Sequence, residues 1–263
     1  LAVDPDDAEI TAARNRLRAQ RPDSPQRQRD AAVERAFDRF NAGELTAAEA
    51  GFEDVLRGSP RNADALGGLG LVRLRQERYA ESDALLQRAM DAQPASAARW
   101  REAKRSAAFF ARFQTAEAAR EDGDLPRALS AYRAAFAEEP AGLDPVLRIS
   151  WASALMDSGD LEAAERELRR ALAARPDHPD ALRALAQLLV RTGRTAEAEQ
   201  IAARGPAEVQ AAIAPARADA LRQRAAESEA RGDRAAAKRD LREAIALSPN
   251  NPWVRLDLAR ILR

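Results

Sequence analysis

Residues 145–178 read PVLRISWASALMDSGDLEAAERELRRALAARPDH, and this stretch decides the fold. Apolar residues recur at helical spacing over residues 146–155 and again over 161–172, with Ser158-Gly159-Asp160 between the two runs. The pattern predicts a helix, a tight turn and a second helix. Pro176 ends the second helix, because proline lacks a backbone N–H and clashes with the preceding turn.

Small residues occupy the positions where these two helices must cross. Ala152 lies on the first helix, and Ala164 and Ala171 lie at matching positions on the second. Two antiparallel helices approach closely only where a large side chain is missing. We therefore expect the three alanines to face one another in a buried helix pair.

The same order of turn residue, small residue, bulky residue, small residue and proline recurs along the chain. It is complete in the ranges 29–62, 63–96, 109–142 and 218–251. In the range 179–212 it begins well, but Gly205-Pro206 cuts the second helix short. The sequence therefore predicts six helix pairs in one register.

A helix pair that recurs every 34 residues resembles the tetratricopeptide repeat. The predicted fold class is all-α, a tetratricopeptide repeat solenoid (an α-α superhelix) with interruptions between repeats. In such an array each repeat contacts only its neighbours, so weakened stacking at an interruption predicts a hinge.

The interruptions divide the chain into segments. Residues 97–108 contain no glycine or proline, so they should either fuse with the next helix or form an unpaired helix against the array. The predicted order is a remnant of a preceding repeat with an unpaired helix over 6–18 (1–28), repeats 1 and 2 (29–96), a helical insertion or hinge (97–108), repeats 3 to 5 (109–212), a short insertion (213–217), and repeat 6 with the first helix of a seventh (218–263).

Composition excludes several classes of function. The 263 residues carry 42 basic and 42 acidic side chains, so the overall charge does not favour nucleic acid. The absence of cysteine excludes disulfides and thiolate zinc sites, and no apolar run reaches the length of a membrane span. The chain begins at Leu1 without a leader pattern, so we expect a segment of a longer array that lacks its targeting signal.

Few side chains are suited to catalysis. His178, the single histidine, lies in a turn between helices, and we expect it to be solvated. We predict no catalytic, cofactor-binding or metal-binding residue, no cofactor and no enzyme activity. Gly67 and Gly68 lie inside a helix, where each glycine costs about 1 kcal/mol relative to alanine. They indicate close helix packing or, alternatively, the close approach of another backbone or a ligand.

A stacked array of helix pairs offers a groove lined by the first helix of each pair, and we expect any binding there. Phe110 and Phe113 have the alternative of packing against the insertion, and Trp253 offers a flat exposed indole. The repeat register places these side chains in the hypothetical groove: Phe37, Phe40, Leu71, Arg75, Phe110, Phe113, Ser153, Asp157, Gln187, Arg191, Arg222, Trp253 and Arg260.

Two stretches are more specific than the general repeat pattern. They are NADALGGLGLVRLRQERYAESDALLQRAM, residues 62–90, and SPNNPWVRLDLARILR, residues 248–263. Both resemble the tetratricopeptide repeat region of the C component of bacterial cellulose synthase, a family of cellulose export proteins. The resemblance implies a non-catalytic periplasmic scaffold that links the inner-membrane synthase to the outer-membrane pore. Its implied partners are other proteins of the synthase and export complex, peptidoglycan or the glucan itself.

Two other interpretations of the repeats stay open. The competing interpretation is a cytoplasmic peptide-binding adaptor, which holds a short linear partner in its groove. The array is also typical of the regulatory repeats of a glycosyltransferase. The sequence that follows Arg263 would separate these interpretations. A run of alternating amphipathic strands would indicate the exporter, a catalytic α/β domain would indicate the enzyme, and neither would indicate the adaptor.

Overall fold

The computed structural model describes residues 25–262, which form fourteen α-helices, one short 3₁₀ turn and no strand. The helix predicted at residues 6–18 lies outside the described residues. The helices are α1 Pro25–Asn41, α2 Leu45–Gly58, α3 Ala63–Arg75, α4 Tyr79–Ala92, α5 Ala97–Glu121, α6 Leu125–Phe136, α7 Val146–Ser158, α8 Leu161–Ala174, α9 Pro179–Arg191, α10 Thr195–Ala202, α11 Ala207–Ala212, α12 Ala214–Ala230, α13 Arg234–Leu247 and α14 Pro252–Leu262.

The described residues divide into two compact units. The first unit holds the residues up to Thr115 together with Arg133–Pro140. The second unit holds Ala116–Tyr132 together with the residues from Ala141 onward. None of the helices within residues 25–262 is long and apolar enough to cross a membrane.

In the first unit, α1 packs on α2, α2 on α3, and α3 on α4. One core cluster joins α1, α2 and α3 around Phe52, which is fully buried. A second cluster joins α3, α4 and α5 around Leu86 and Trp100. The buried Ser82 hydroxyl donates a 2.8 Å hydrogen bond to the Gly70 carbonyl and so links α4 to α3.

The second unit contains the helix pair that the opening stretch predicts. Helix α7 ends at Ser158, Gly159 adopts a left-handed φ of 86°, and α8 begins at Leu161. This φ suits glycine because it has no Cβ. Ala152, Ala164 and Ala171 are all fully buried in one core cluster that also draws on α9, α10 and α11. The predicted helix pair is therefore confirmed.

The interruptions take definite forms. Residues 97–108 are continuous with the helix that follows them, because a single helix of 25 residues, α5, runs from Ala97 to Glu121. Helix α10 has only eight residues, and the six-residue α11 follows it after Gly205-Pro206. Helix α12 then begins at Ala214, inside the segment 213–217. A hinge at either interruption stays a prediction.

The glycines of α3 make room for aromatic rings. A Cβ atom on Gly67 would lie 2.4 Å from the Trp100 ring, and one on Gly68 would lie 2.3 Å from the Phe52 ring. Both rings are almost completely buried. Gly67 and Gly68 therefore serve close helix packing, and it is side chains, not a backbone, that come near.

The prediction that His178 is solvated is wrong. His178 is 8% exposed, and its Nδ1 has no hydrogen-bond partner among the described residues. The residue precedes α9, its carbonyl accepts from the Leu182 N–H at 3.0 Å, and its own N–H donates to the Arg175 carbonyl at 3.2 Å. These backbone bonds fix the turn with the imidazole against the protein, which a sequence pattern does not reveal.

Candidate functional site

A cleft of about 450 Å³ opens on the first unit, between α1, α3 and the start of α5. Phe37, Phe40 and Leu71, three of the predicted groove residues, lie together on its wall. Glu34, Asp38 and Asn41 add acidic and polar groups to the lining. Arg99 and Trp100, which have no position in the repeat register, complete it. The cleft therefore combines apolar rings with charged groups of both signs.

Arginine side chains cover the aromatic rings of this cleft. The Arg99 guanidinium carbon lies 5.2 Å from the Phe37 ring centroid and 4.5 Å from that of Trp100. Arg99 also pairs with Asp64 at 2.7 Å. Arg75 lies over the Phe40 ring at 5.1 Å. Cation–π contacts of this kind hold the two guanidinium groups against the rings, and that of Arg99 is in addition engaged by a carboxylate of the protein.

A second pocket, of about 320 Å³, lies in the second unit between α7, α9 and the start of α12. Gln187 and Arg191, two more predicted groove residues, lie on its rim and are exposed. The other lining side chains are apolar: Met156, Val190, Ala212, Ile213 and Ala216. This pocket is smaller and more apolar than the cleft on the first unit.

Arg222 and Arg260 hold helices together near the end of the chain. Arg222 Nε pairs with Asp257 Oδ2 at 2.5 Å, which links α12 to α14. Arg260 pairs with Glu229 at 2.9 Å across the same two helices, and it also borders a shallow pocket of about 300 Å³ on α14. Their guanidinium groups are therefore already engaged by carboxylates of the protein.

A bidentate ion pair fastens α12 to α13. Arg224 Nε and Nη2 donate to the two carboxylate oxygens of Asp240, both at 2.7 Å. Asp240 is 8% exposed, and the hydrogen bonds from Arg224 hold the pKa of its carboxyl below the ordinary value. The pair thus holds α12 against α13.

The remaining predicted residues differ in exposure. Trp253 is 60% exposed, Asp157 is exposed, and Ser153 is half-buried. Phe110 stacks on Tyr79 with ring centroids 5.0 Å apart. Phe113 does not face solvent as the register predicts: it is buried and packs against Phe109 at 5.9 Å and Phe136 at 6.4 Å, in an aromatic cluster that joins α5 to α6.

Sequence reasoning missed the residues that complete both pockets. Arg99 and Trp100 lie in the insertion, which has no position in the repeat register. The available signal for a large ring beside α3 was the pair Gly67 and Gly68. A missing side chain on a helix leaves a space that a large side chain from another helix must fill. Ile213 and Ala216 lie in the predicted insertion 213–217, and Ala212 directly precedes it, but the sequence pattern assigns none of them to a pocket.

Within residues 25–262 no group of three or more histidine, aspartate or glutamate side chains is placed to hold a metal ion. The shortest carboxylate contacts instead join oppositely charged or hydroxyl-bearing side chains of the protein. The Tyr132 hydroxyl donates a hydrogen bond to Glu117. Burial is the main cause that raises the pKa of the Tyr132 phenol, and this hydrogen bond raises it further. Arg148 donates to the buried Glu167 at 2.5 Å.

Comparison with known sequence families agrees with this architecture. Sequence profiles described as tetratricopeptide repeat match residues 33–97 and 155–225. The solved structure of MamA AMB-1 aligns with 67% of this chain and 89% of its own chain, at 18% identity and a TM-score of 0.44.

Three curated relatives match almost the whole chain. Cellulose synthase operon protein C of Xanthomonas axonopodis pv. citri (strain 306) is 39% identical over 99% of this chain. The protein of the same name from Pseudomonas fluorescens (strain SBW25) is 34% identical over 99%, and cellulose synthase 1 operon protein C of Komagataeibacter xylinus is 31% identical over 92%. The matches span only 17%, 20% and 18% of these relatives.

Three observations indicate the same family: the repeated helix pairs, the two profile matches and the near-complete alignment to these relatives. The chain belongs to the tetratricopeptide repeat family, and it is a homologue of one segment of the cellulose synthase operon C proteins.

Proposed function

We propose that this array is a non-catalytic scaffold of a cellulose export system. It works in the periplasm, where it links the inner-membrane synthase to the outer-membrane pore and holds partner proteins, peptidoglycan or the emerging glucan. The observation that carries the proposal is the 39% identity over 99% of the chain to a protein named cellulose synthase operon protein C. Such extensive similarity is more specific than the repeat pattern alone.

The described surface suits a scaffold. Tetratricopeptide arrays typically bind other macromolecules along the exposed faces of their helices, and each unit here carries a pocket formed by first helices of neighbouring pairs. The buried cores and the ion pairs between helices keep those faces in a fixed arrangement. The binding surfaces thus exist before a partner arrives, which lowers the entropic cost of association.

An in-frame deletion of residues 25–262 from the full-length protein tests the scaffold role in the host. We expect cellulose at the cell surface to disappear, while glucan synthesis by isolated membranes continues, because the synthase itself is intact. Immunoblots of periplasmic and cytoplasmic fractions must show the intact protein in the periplasm. Undiminished surface cellulose in the deletion strain, or a cytoplasmic full-length protein, would contradict the proposal and favour the adaptor interpretation.

Direct contact with the polysaccharide is tested at Trp253. This indole is 60% exposed on α14, and a flat ring of this kind can cover the apolar face of a sugar. If the array touches glucan here, Trp253→Ala should reduce retention of the chain on insoluble cellulose by about tenfold, as expected for the loss of about 1.4 kcal/mol of binding free energy.

Val146→Ala is the matched control for that experiment. Val146 is also apolar and 43% exposed in the second unit, but it begins α7, outside the predicted groove. Equal losses in the two variants would show non-specific adhesion. Retention on peptidoglycan instead of cellulose would move the proposed contact from the glucan to the cell wall, and retention on neither would confine it to partner proteins.

A further inference from the structure

We propose that the outward side of α13 lies against the surface of a bilayer that contains anionic phospholipids. Four cations form this surface, the basic face of α13: Arg234, Lys238, Arg239 and Arg242. The inference goes beyond the proposed function, because it adds a membrane surface to the partners of the array.

The cations of the basic face share one side of the helix. Successive residues of an α-helix are rotated by about 100°, so these positions fall within an arc of about 140° and span about 12 Å along the axis. Arg234, Arg239 and Arg242 are exposed, and Lys238 is half-buried. The buried residues of α13 occupy a separate arc on the side of the core. The positive side chains therefore project away from the core of the second unit.

Both acidic residues of α13 are engaged by arginines of α12. Asp240 accepts two hydrogen bonds of 2.7 Å from Arg224, and Glu243 pairs with Arg217 at 3.6 Å. The hydrogen bonds from Arg224 and, to a smaller extent, the charge of Arg239 lower the pKa of the Asp240 carboxyl. The packing of α13 on α12 thus uses the carboxylates and leaves the cations on the outside.

No cation of the basic face has an ion pair or a side-chain hydrogen bond with another residue of the range 25–262. Asp233, which precedes the face, is the N-cap of α13 and accepts from the Ala236 N–H at 2.9 Å. On α8, by contrast, the exposed Arg169 and Arg170 each pair with a glutamate of the same helix, at 2.7 and 2.6 Å. The basic face is therefore a local concentration of positive charge that the protein does not neutralise by direct contact.

The other side chains of this side favour a plane of many anions over a shaped protein partner. Ala235 and Ala246 are exposed among the cations, and no large apolar side chain of α13 is exposed. Protein interfaces depend on large aromatic or apolar anchors, which this face lacks. An anionic bilayer needs no such anchor, because each Lys or Arg near its surface adds to the attraction.

The strength of the contact follows from the number of cations and from the salt concentration. Each cation near an anionic bilayer raises the affinity by a factor of about five. The attraction weakens with salt, because the Debye length falls from about 10 Å at 0.1 M to about 3 Å at 1 M. Since no large apolar side chain of α13 can enter the bilayer, high salt should release the chain.

Sedimentation with lipid vesicles tests the basic face on the whole chain of 263 residues. One set of vesicles is phosphatidylcholine alone, and the other contains about one third phosphatidylglycerol, which supplies the anionic headgroup. The variant Arg239→Gln/Arg242→Gln removes two cations from the face. Its matched control, Arg166→Gln/Arg255→Gln, removes two exposed arginines from α8 and α14. The two variants have the same net charge, so only the position of the lost cations differs.

We expect the wild-type chain to bind the phosphatidylglycerol vesicles and not the phosphatidylcholine vesicles. Arg239→Gln/Arg242→Gln should weaken this binding by about 10- to 30-fold, and the control by less than about threefold. All four substituted residues are exposed, so both variants should fold as the wild type does, which circular dichroism checks.

Four results would overturn the inference. They are the absence of binding to phosphatidylglycerol vesicles, equal weakening by the two variants, binding that persists in about 1 M salt, and binding to poly-glutamate without binding to the vesicles. The last result would replace the bilayer by an acidic protein segment. The deletion experiment measures cellulose export and not lipid binding, so failure of this face and failure of the scaffold role remain distinguishable.

Discussion

Gly68→Ala is expected to lower the free energy of unfolding by about 2 kcal/mol. The added Cβ would lie 2.3 Å from the Phe52 ring, which is fully buried and cannot move aside. Overpacking of this severity costs about 3 kcal/mol, and the better helix propensity of alanine returns only about 1 kcal/mol. Denaturation in urea, followed by circular dichroism, measures the change.

Gly58→Ala is the matched control for this substitution. Gly58 also lies in a helix of the first unit, but no heavy atom comes within 4 Å of the position that its Cβ would occupy. Helix propensity alone should then stabilise the protein, by at most about 1 kcal/mol. Equal stabilisation by Gly68→Ala and Gly58→Ala would show that the ring does not press on α3.

Arg73→Met is expected to lower the free energy of unfolding by about 2 to 3 kcal/mol at pH 7. The Arg73 side chain is only 8% exposed, and it contacts the carboxylates of Glu49 at 2.5 Å, Glu53 at 3.3 Å and Glu81 at 3.3 Å. Loss of the cation leaves three like charges together. The carboxylates are partly solvated, so the cost falls below the roughly 3–5 kcal/mol typical of fully buried pairs.

The dependence of this effect on pH separates charge from packing. The hydrogen bond from Gln76, together with Arg73, holds the pKa of Glu49 below its ordinary value. The stability that Glu49 contributes is therefore present above its unfolded pKa of about 4.3 and is lost as the pH falls through the folded value. The difference between wild type and Arg73→Met should be greatest at neutral pH and should shrink below about pH 4.

Arg75→Met is the control, because Arg75 lies on the same helix but is exposed and has a ring contact in place of carboxylates. We expect it to cost less than about 1 kcal/mol, with little dependence on pH. A constant difference between Arg73→Met and wild type from pH 7 to about pH 3 would attribute the loss to packing.

The helix pairs could be predicted from sequence because each one repeats the same local physics. Gly159 marks a turn, and Ala152, Ala164 and Ala171 mark a crossing, so short spacings carry the whole prediction. Even Glu77, which stands at a turn position that is glycine in other repeats, adopts a left-handed φ of 59°. The position of Glu77 in the repeat therefore decides its backbone conformation, although a residue with a side chain disfavours a positive φ.

The pockets could be predicted only in part. Phe37 and Gln187 follow the register and line their pockets, whereas Trp100 and Ile213 lie in or beside interruptions and have no register position. Phe113 is buried because Phe109 and Phe136 enclose it in an aromatic cluster between α5 and α6, which the register does not reveal. Where the repeat breaks, tertiary packing decides exposure, and local spacing no longer does.

The indole that fills the gap above Gly67 has a spectroscopic consequence. Tryptophan occurs three times, at 100, 151 and 253, and only Trp100 lies in the first unit. With phenylalanine at the other two positions, blue-shifted emission from Trp100 would report the integrity of that unit alone, without a dye. The onset of quenching by acrylamide during unfolding would then mark the point at which α5 separates from α3.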